Sequence, residues 1–305
     1  MDFRRKMSWI GIAIGVVLAI GGTASAQGRG GVAEPYTPAK DAKDLKAVLF
    51  NWMWHTGMLK GHDERDMVAS LEYQGKGTIQ VDGQPCALTK YRASTNYQTF
   101  SQRIQYACTR PNGQTYSNIE VVSGLYAWNE DTPGAEIGPA KGKATPMPAT
   151  VQERLIRMWA SPQGAPKAAL TGVSETAEWG ANPATLLQDG VTTAGKTSLT
   201  WEGGKPVVTF PIPGVPGATA IATLDAKYMA ERVVVKNGPT TTELAYGDYK
   251  DWNNPLNRVE AFNAGKIVER RNGTVVRDLK TKVTEIGQVY VVVPVPDSVQ
   301  KAAGK

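Results

Sequence analysis

The chain has 305 residues, of which 41% are hydrophobic and 20% charged, with a formal net charge of +6. It is long enough to bury a sizeable core, too short for more than two ordinary domains, and far from a disordered or fibrous composition. Two cysteines and two histidines exclude zinc fingers, iron–sulfur clusters and multi-histidine metal centres built from this chain alone.

Residues 1–26 read as an address. Arg4, Arg5 and Lys6 precede an uncharged run, WIGIAIGVVLAIGG, and small residues end at Ala24-Ser25-Ala26. This is the pattern of a cleaved secretory signal peptide, and the apolar run falls short of the roughly 20 residues of a membrane span. The arginine pair alone does not make a twin-arginine signal, which favours the general secretory route. The expected location is periplasmic or secreted, with no integral membrane span after cleavage near Ala26. Cleavage removes three basic and one acidic side chain, leaving a net charge of +4. The densest basic cluster is Glu269-Arg270-Arg271 followed by Arg277, Lys280 and Lys282. It contains an acid, lacks interleaved aromatics, and reads as the solvated face of strands, so no nucleic-acid partner is predicted. Two cysteines in an exported chain predict a disulfide between Cys86 and Cys108, bridging two neighbouring antiparallel strands.

The elements follow in chain order. Residues 27–37 are a flexible lead-in. Thr37 as N-cap and Pro38 at the first helical position open a helix whose buried face holds Ala42, Leu45, Val48, Leu49 and Trp52, with Gly57 and Gly61 marking its stop. A β region follows, read as a strand pair turning around Gly75-Lys76-Gly77, then strands over 87–97, 103–108 and 117–126. Asp82-Gly83 and Pro111-Asn112-Gly113 are the hairpin turns. Residues 130–150 are rich in Pro, Gly and Ala and read as a long loop. Thr150 and Glu153 form a capping box for a second helix with Val151, Leu155, Met158 and Trp159 on one side, broken by Pro162-Gln163-Gly164. From 172 to 294 the chain is strand and turn, with turns at Gly203-Gly204, Asn237-Gly238, Ala264-Gly265 and Asn272-Gly273. There is no βαβ alternation. The predicted fold is mainly β with helices (α+β): a large curved antiparallel sheet or half-barrel, with an N-terminal helix and a mid-chain helical lid. It is organised as a single β-rich domain over 38–297 and a tail over 298–305.

Chemical motifs are sparse. His55 and His62 are seven apart, the wrong spacing for a helical zinc pair. Ser123-Gly124 lacks the first glycine of a nucleophile elbow, and no dinucleotide or phosphate loop appears. No catalytic residue, metal ligand or cofactor is assigned. Asp248 and Asp251 read as side chains that hold a strand end and turn. Seven tryptophans remain after the leader: Trp52, Trp54, Trp128, Trp159, Trp179, Trp201 and Trp252. Trp52, Trp54, Met58, Met158 and Trp159 fall on or beside the two helices and are the candidate ligand-binding set. The same residues also suit a core between helix and sheet; the methionines suit a pocket that adapts to varied shapes.

The element order resembles the periplasmic lipoprotein-carrier (LolA/LolB-like) half-barrel superfamily and related exported bacterial proteins. The likeness rests on the succession of strands over 220–224 and 231–235, then Tyr246-Gly247-Asp248-Tyr249-Lys250-Asp251-Trp252, Pro255 and the hairpins to Val293. It implies an incompletely closed antiparallel half-barrel curling around helices and holding acyl chains, with a lipid or lipoprotein as partner. The leading expectation is an exported, non-enzymatic protein binding an apolar ligand in a groove between sheet and helices. A secreted hydrolase using carboxylates, and a structural or interaction protein of the cell envelope, remain open beside it.

Overall fold

The structure, a computed structural model, describes residues 40–60, 64–65, 68–139, 141–173, 195–252, 261–287 and 291–304. The predicted signal peptide, the lead-in, the helix start at Thr37 and Pro38, and Gly61, His62, Trp179 and Pro255 lie outside these residues.

Tight turns set the architecture. In the first half of the chain, β3 (Ser70–Val81), β4 (Gln84–Asn96), β5 (Ser101–Thr109), β6 (Thr115–Ser123), β7 (Tyr126–Glu130) and β8 (Ala144–Pro146) follow one another as an antiparallel meander. In the second half, β9 (Ser198–Glu202), β10 (Lys205–Pro211), β11 (Thr219–Leu224), β12 (Ala230–Asn237), β13 (Thr240–Gly247), β16 (Lys266–Arg271) and β17 (Thr274–Gly287) form another. The turns at Asp82-Gly83, Asn112-Gly113, Gly203-Gly204, Asn237-Gly238 and Asn272-Gly273 all sit at hairpins, as the sequence predicts. Asp82 and Asn272 take the positive φ that the favoured two-residue hairpin turns require.

The two meanders meet where β3 pairs with β17, strands about 200 residues apart in sequence. The result is one 13-stranded antiparallel sheet ordered β8-β7-β6-β5-β4-β3-β17-β16-β13-β12-β11-β10-β9. Its edge strands β8 and β9 do not pair, so the sheet is not closed. Two short pairs stand apart from it: β1 (Leu59–Lys60) with β2 (Glu64–Arg65), and β14 (Lys250–Asp251) with β15 (Phe262–Asn263).

The predicted turn at Gly75-Lys76-Gly77 is corrected: these residues lie inside the continuous strand β3. The glycines answer a packing need rather than a turn. Gly77 has φ 138°, and a Cβ there would lie 2.0 Å from the carbonyl oxygen of Asp278 on β17. A Cβ on Gly75 would meet the Tyr91 ring at 3.0 Å. The seam between the meanders therefore needs bare backbone.

The helix α1 (Leu45–His55) starts later than the sequence reading has it. Asp44, in extended conformation, accepts the Ala47 N–H at 2.8 Å and caps the helix. The helix α2 (Val151–Trp159) is preceded by a 3₁₀ turn over Pro148–Thr150. That turn already gives Thr150 helical dihedrals, so its hydroxyl donates back to the Met147 carbonyl and the predicted capping box does not form. Glu153 instead contacts arginines. A third helix, α3 (Gly164–Thr171), follows.

The predicted loop over 130–150 is shorter, running from 131 to 143 between β7 and β8. Glu130, Asp131 and Glu136 accept backbone N–H groups of Gly134, Lys143 and Ala144, which folds it onto the sheet. The predicted tail over 298–305 carries most of α4 (Asp297–Ala302), because Val299 packs with Trp128, Ala135, Val291 and Val293.

The largest core joins α1, α2 and α3 to strands from β6 round to β10, including Val122, Leu71, Val283, Leu244, Val233, Ala222 and Phe210. A second cluster, around Tyr91, Ile104, Ile267 and Leu279, holds the disulfide. Cys86 on β4 and Cys108 on β5 are bridged, with Cα atoms 5.5 Å apart, as predicted.

Two tests follow from the seam and the bridge. Gly77→Ala should lower the unfolding free energy by about 2–4 kcal/mol, since it adds a clash to an unfavourable φ. Gly83→Ala, whose Cβ would meet nothing within 4 Å, should cost about 1 kcal/mol, the conformational share alone. Equal shifts in urea midpoint would refute the close approach. Replacing both Cys86 and Cys108 by Ala should cost about 3 kcal/mol by the loop-entropy model.

Candidate functional site

The five residues predicted to bind ligand come together, and they do so in the interior. Trp52, Met58, Met158 and Trp159 are at most 4% exposed and belong to one apolar cluster; Trp54 is half-buried against it. The Trp159 ring meets Phe100 edge-on at 4.8 Å between centroids, Trp52 meets Phe210 at 6.2 Å, and Trp54 stacks on Phe50. The indole N–H groups of Trp52, Trp159 and Trp252 are buried without a hydrogen-bond partner. The Asp251 side chain serves the turn, as the sequence reading has it, accepting the Ala261 N–H at 3.0 Å; Asp248 contributes through its main chain, whose carbonyl accepts the Gly265 N–H.

A polar centre that the sequence reading missed lies between α2 and the sheet. One face of α2 carries Leu155, Met158 and Trp159 into the apolar core. The other carries Arg154 and Arg157, which are equally buried. Arg154 donates to the carbonyls of Val121 and Trp128 and to the Asn129 side chain, at 2.6–2.8 Å. Arg157 lies 2.7 Å from Glu120 on β6, 3.0 Å from Glu153 one turn back, and 3.6 Å from Glu269 on β16. Arg277 on β17 reaches Glu120 at 3.4 Å and Glu269 at 3.5 Å. Arg271 joins Glu153 at 2.7 Å to Glu269 at 3.6 Å.

Glu269 and Arg277 correct the sequence reading. That run was predicted to be solvated, yet Glu269 is 3% exposed at its side chain. The exposed members are Lys280 and Lys282, on the opposite face of β17. Alternation along a strand separates the two groups, and α2 covers the inner one.

The electrostatics follow the geometry. Burial alone would raise the Glu120 carboxyl, but Arg157, Arg277 and Arg154 outweigh it and hold its pKa at about 2. Glu153 is likewise raised by burial and lowered further by Arg157 and Arg271. Burial pushes the Arg154 guanidinium down to about 10. For Arg157 burial acts in the same direction, but Glu120, Glu269 and Glu153 reverse it and the charge is secured. Burial raises the phenol pKa of Tyr73, Tyr91 and Tyr246 above its ordinary value, so all three hydroxyls stay protonated.

These groups border a recess of about 360 Å³, counting the part open to solvent. Tyr73, Tyr91, Tyr246, Arg157, Glu269 and Arg277 are among the residues that line it. It is lined by none of the five predicted residues, nor is a smaller recess beside α4. No helix among the described residues is long and apolar enough to cross a membrane. No protein-family model matches this chain, and no curated protein matches it either.

The charge cluster predicts an acid limb. The Glu120 carboxyl is lowered from 4.5 to about 2, so its contribution is complete above pH 4.5 and is lost as pH falls toward 2. The shift corresponds to stability on the order of 3 kcal/mol. Glu120→Gln should be destabilised at neutral pH and should show a shallower loss between those limits. Parallel pH profiles in urea unfolding would remove Glu120 as a source of the acid limb.

Proposed function

We propose that this is an exported, non-enzymatic binding protein whose sheet curls as an open half-barrel around α1–α3. It holds an apolar ligand, a lipid or acyl chain, between sheet and helices. One observation carries the reading. Glu120 on β6 and Arg277 on β17 are in contact at 3.4 Å, although β5, β4 and β3 lie between their strands. Four strand spacings in a flat sheet amount to about 19 Å, more than the two side chains can span together. Strong curvature brings β6 and β17 within reach of each other, and a curved sheet with helices on its inner face makes a container rather than a slab.

The character of the interior supports the ligand class. Met53, Met58 and Met158 give the cluster adaptable walls. The unpartnered indole N–H groups of Trp52 and Trp159 suit a ligand that brings a carbonyl oxygen into an apolar space. The disulfide suits an oxidising compartment. The Glu120 carboxylate is a poor candidate for hydrolytic acid–base work. Glu120 is held ionised by arginines, whereas a general acid or base needs a pKa near the working pH.

Organic extraction of the protein purified from its exported form should release a lipid or fatty acid detectable by mass spectrometry, and a fluorescent fatty acid should bind saturably. Trp54→Ala, a half-buried position, should weaken the probe several-fold while far-ultraviolet circular dichroism and the urea midpoint show the fold retained. An empty extract together with no saturable probe binding refutes the carrier reading. Export is tested separately: the mature N-terminus should lie at or next to Gln27, and a retained Met1 overturns it.

A further inference from the structure

The guanidinium groups at the recess are not fully used. Arg277 is 11% exposed at its side chain, yet its acceptors, Glu120 and Glu269, lie at 3.4 and 3.5 Å. Well-formed hydrogen bonds between such groups are about 2.7–2.9 Å. Arg157 spends its two terminal nitrogens on Glu120 and Glu153, and its Nε has no hydrogen-bond partner. Glu269 faces three guanidinium groups at 3.5–3.6 Å, all too distant for a good hydrogen bond. With Arg154, Arg157, Arg271 and Arg277 set against Glu120, Glu153 and Glu269, the cluster carries one positive charge more than its carboxylates neutralise.

The phenols add a directed donor. The Tyr246 hydroxyl is committed to the Ala160 carbonyl. The Tyr91 ring lies 6.1 Å from that of Tyr73, and its hydroxyl carries a proton that an oxyanion can accept. Arg157, Arg277 and Tyr91 all line the same recess.

We propose that this recess binds one oxyanion group, a carboxylate or a phosphate, whose oxygens accept from the spare N–H groups of Arg157 and Arg277 and from the Tyr91 hydroxyl. The oxyanion has two possible sources. It can be a free anion, or it can be the head of an amphiphile whose chain enters the apolar cluster. Leu244 lines the recess and belongs to that cluster with Met158 and Trp159. The site itself does not depend on the apolar-ligand reading.

Calorimetric titration of the full mature chain with inorganic phosphate, decanoate, decyl phosphate and decanol tests the site and its source. Phosphate binding as tightly as decyl phosphate identifies a free anion. Decanoate and decyl phosphate binding at least about tenfold tighter than both phosphate and decanol identifies an amphiphile. Either result supports the site, provided that Arg277→Gln weakens the charged probe by about tenfold or more, the loss expected for a charged hydrogen bond. Tyr91→Phe removes one hydroxyl without disturbing the ion pairs, and should weaken the same probe about three- to tenfold. It keeps the test valid if Arg277→Gln does not fold. Absence of saturable binding by every charged probe overturns the proposal, as does binding unchanged in the folded variants. Decanol binding as well as decanoate overturns the oxyanion site while leaving the apolar-ligand reading intact.

Discussion

Arg157 stands where three separately built parts of the chain meet. It belongs to α2, the helix between the two meanders, and it contacts Glu120 of the first meander and Glu269 of the second. Without it, Glu120 would keep only Arg277 as an ion-pair partner among the described residues, at 3.4 Å, and Glu269 only Arg277 and Arg271, at 3.5 and 3.6 Å. A carboxylate left underpaired in such a place costs several kcal/mol or takes up a proton. The pairing therefore fixes more than the position of one helix. It fixes which strand faces turn inward and how far β6 and β17 must approach.

Buried ion clusters rarely increase stability over well-packed apolar residues of the same size, because desolvation offsets most of the attraction. Their use here is geometric. The β3–β17 seam is held by backbone hydrogen bonds, with a register shift near Val283 and bare backbone at Gly77. Backbone pairing alone leaves a slip in register open, and a slip by one residue would turn Arg277 outward and bring its neighbours inside. The requirement that Arg277 meet both Glu120 and Glu269 penalises that slip. The charges thus specify an arrangement that hydrophobic patterning tolerates but does not select.

What was legible in the sequence is what short-range chemistry dictates. Asp82-Gly83 and Asn272-Gly273 announce hairpins because only such pairs readily accept the required dihedrals. Cys86 and Cys108 announce a bridge from number and compartment. Leu279 and Val283, alternating with Lys280 and Lys282, announce one buried face. The polar centre was illegible for the converse reason. Arg157 and Glu269 are over a hundred residues apart, and nothing local separates a buried arginine from a solvated one. Gly75 and Gly77 misled in the same way: they resemble a turn, and only the Tyr91 ring and the Asp278 carbonyl explain them. Of the two interior clusters, the sequence reading picked out residues of the apolar one, around Trp52 and Trp159, and missed the charged one beside it.

The two halves differ in how they tolerate change. The apolar cluster includes Met53, Met58 and Met158, unbranched side chains that fill irregular space and change rotamer readily. The charged half cannot shift in that way, since moving any arginine by an ångström leaves a carboxylate uncompensated in a buried site. Tyr246 joins them, with its ring packed against both clusters and its hydroxyl bonded to Ala160 at the end of α2. An interior so divided has a rigid polar end and a yielding apolar one.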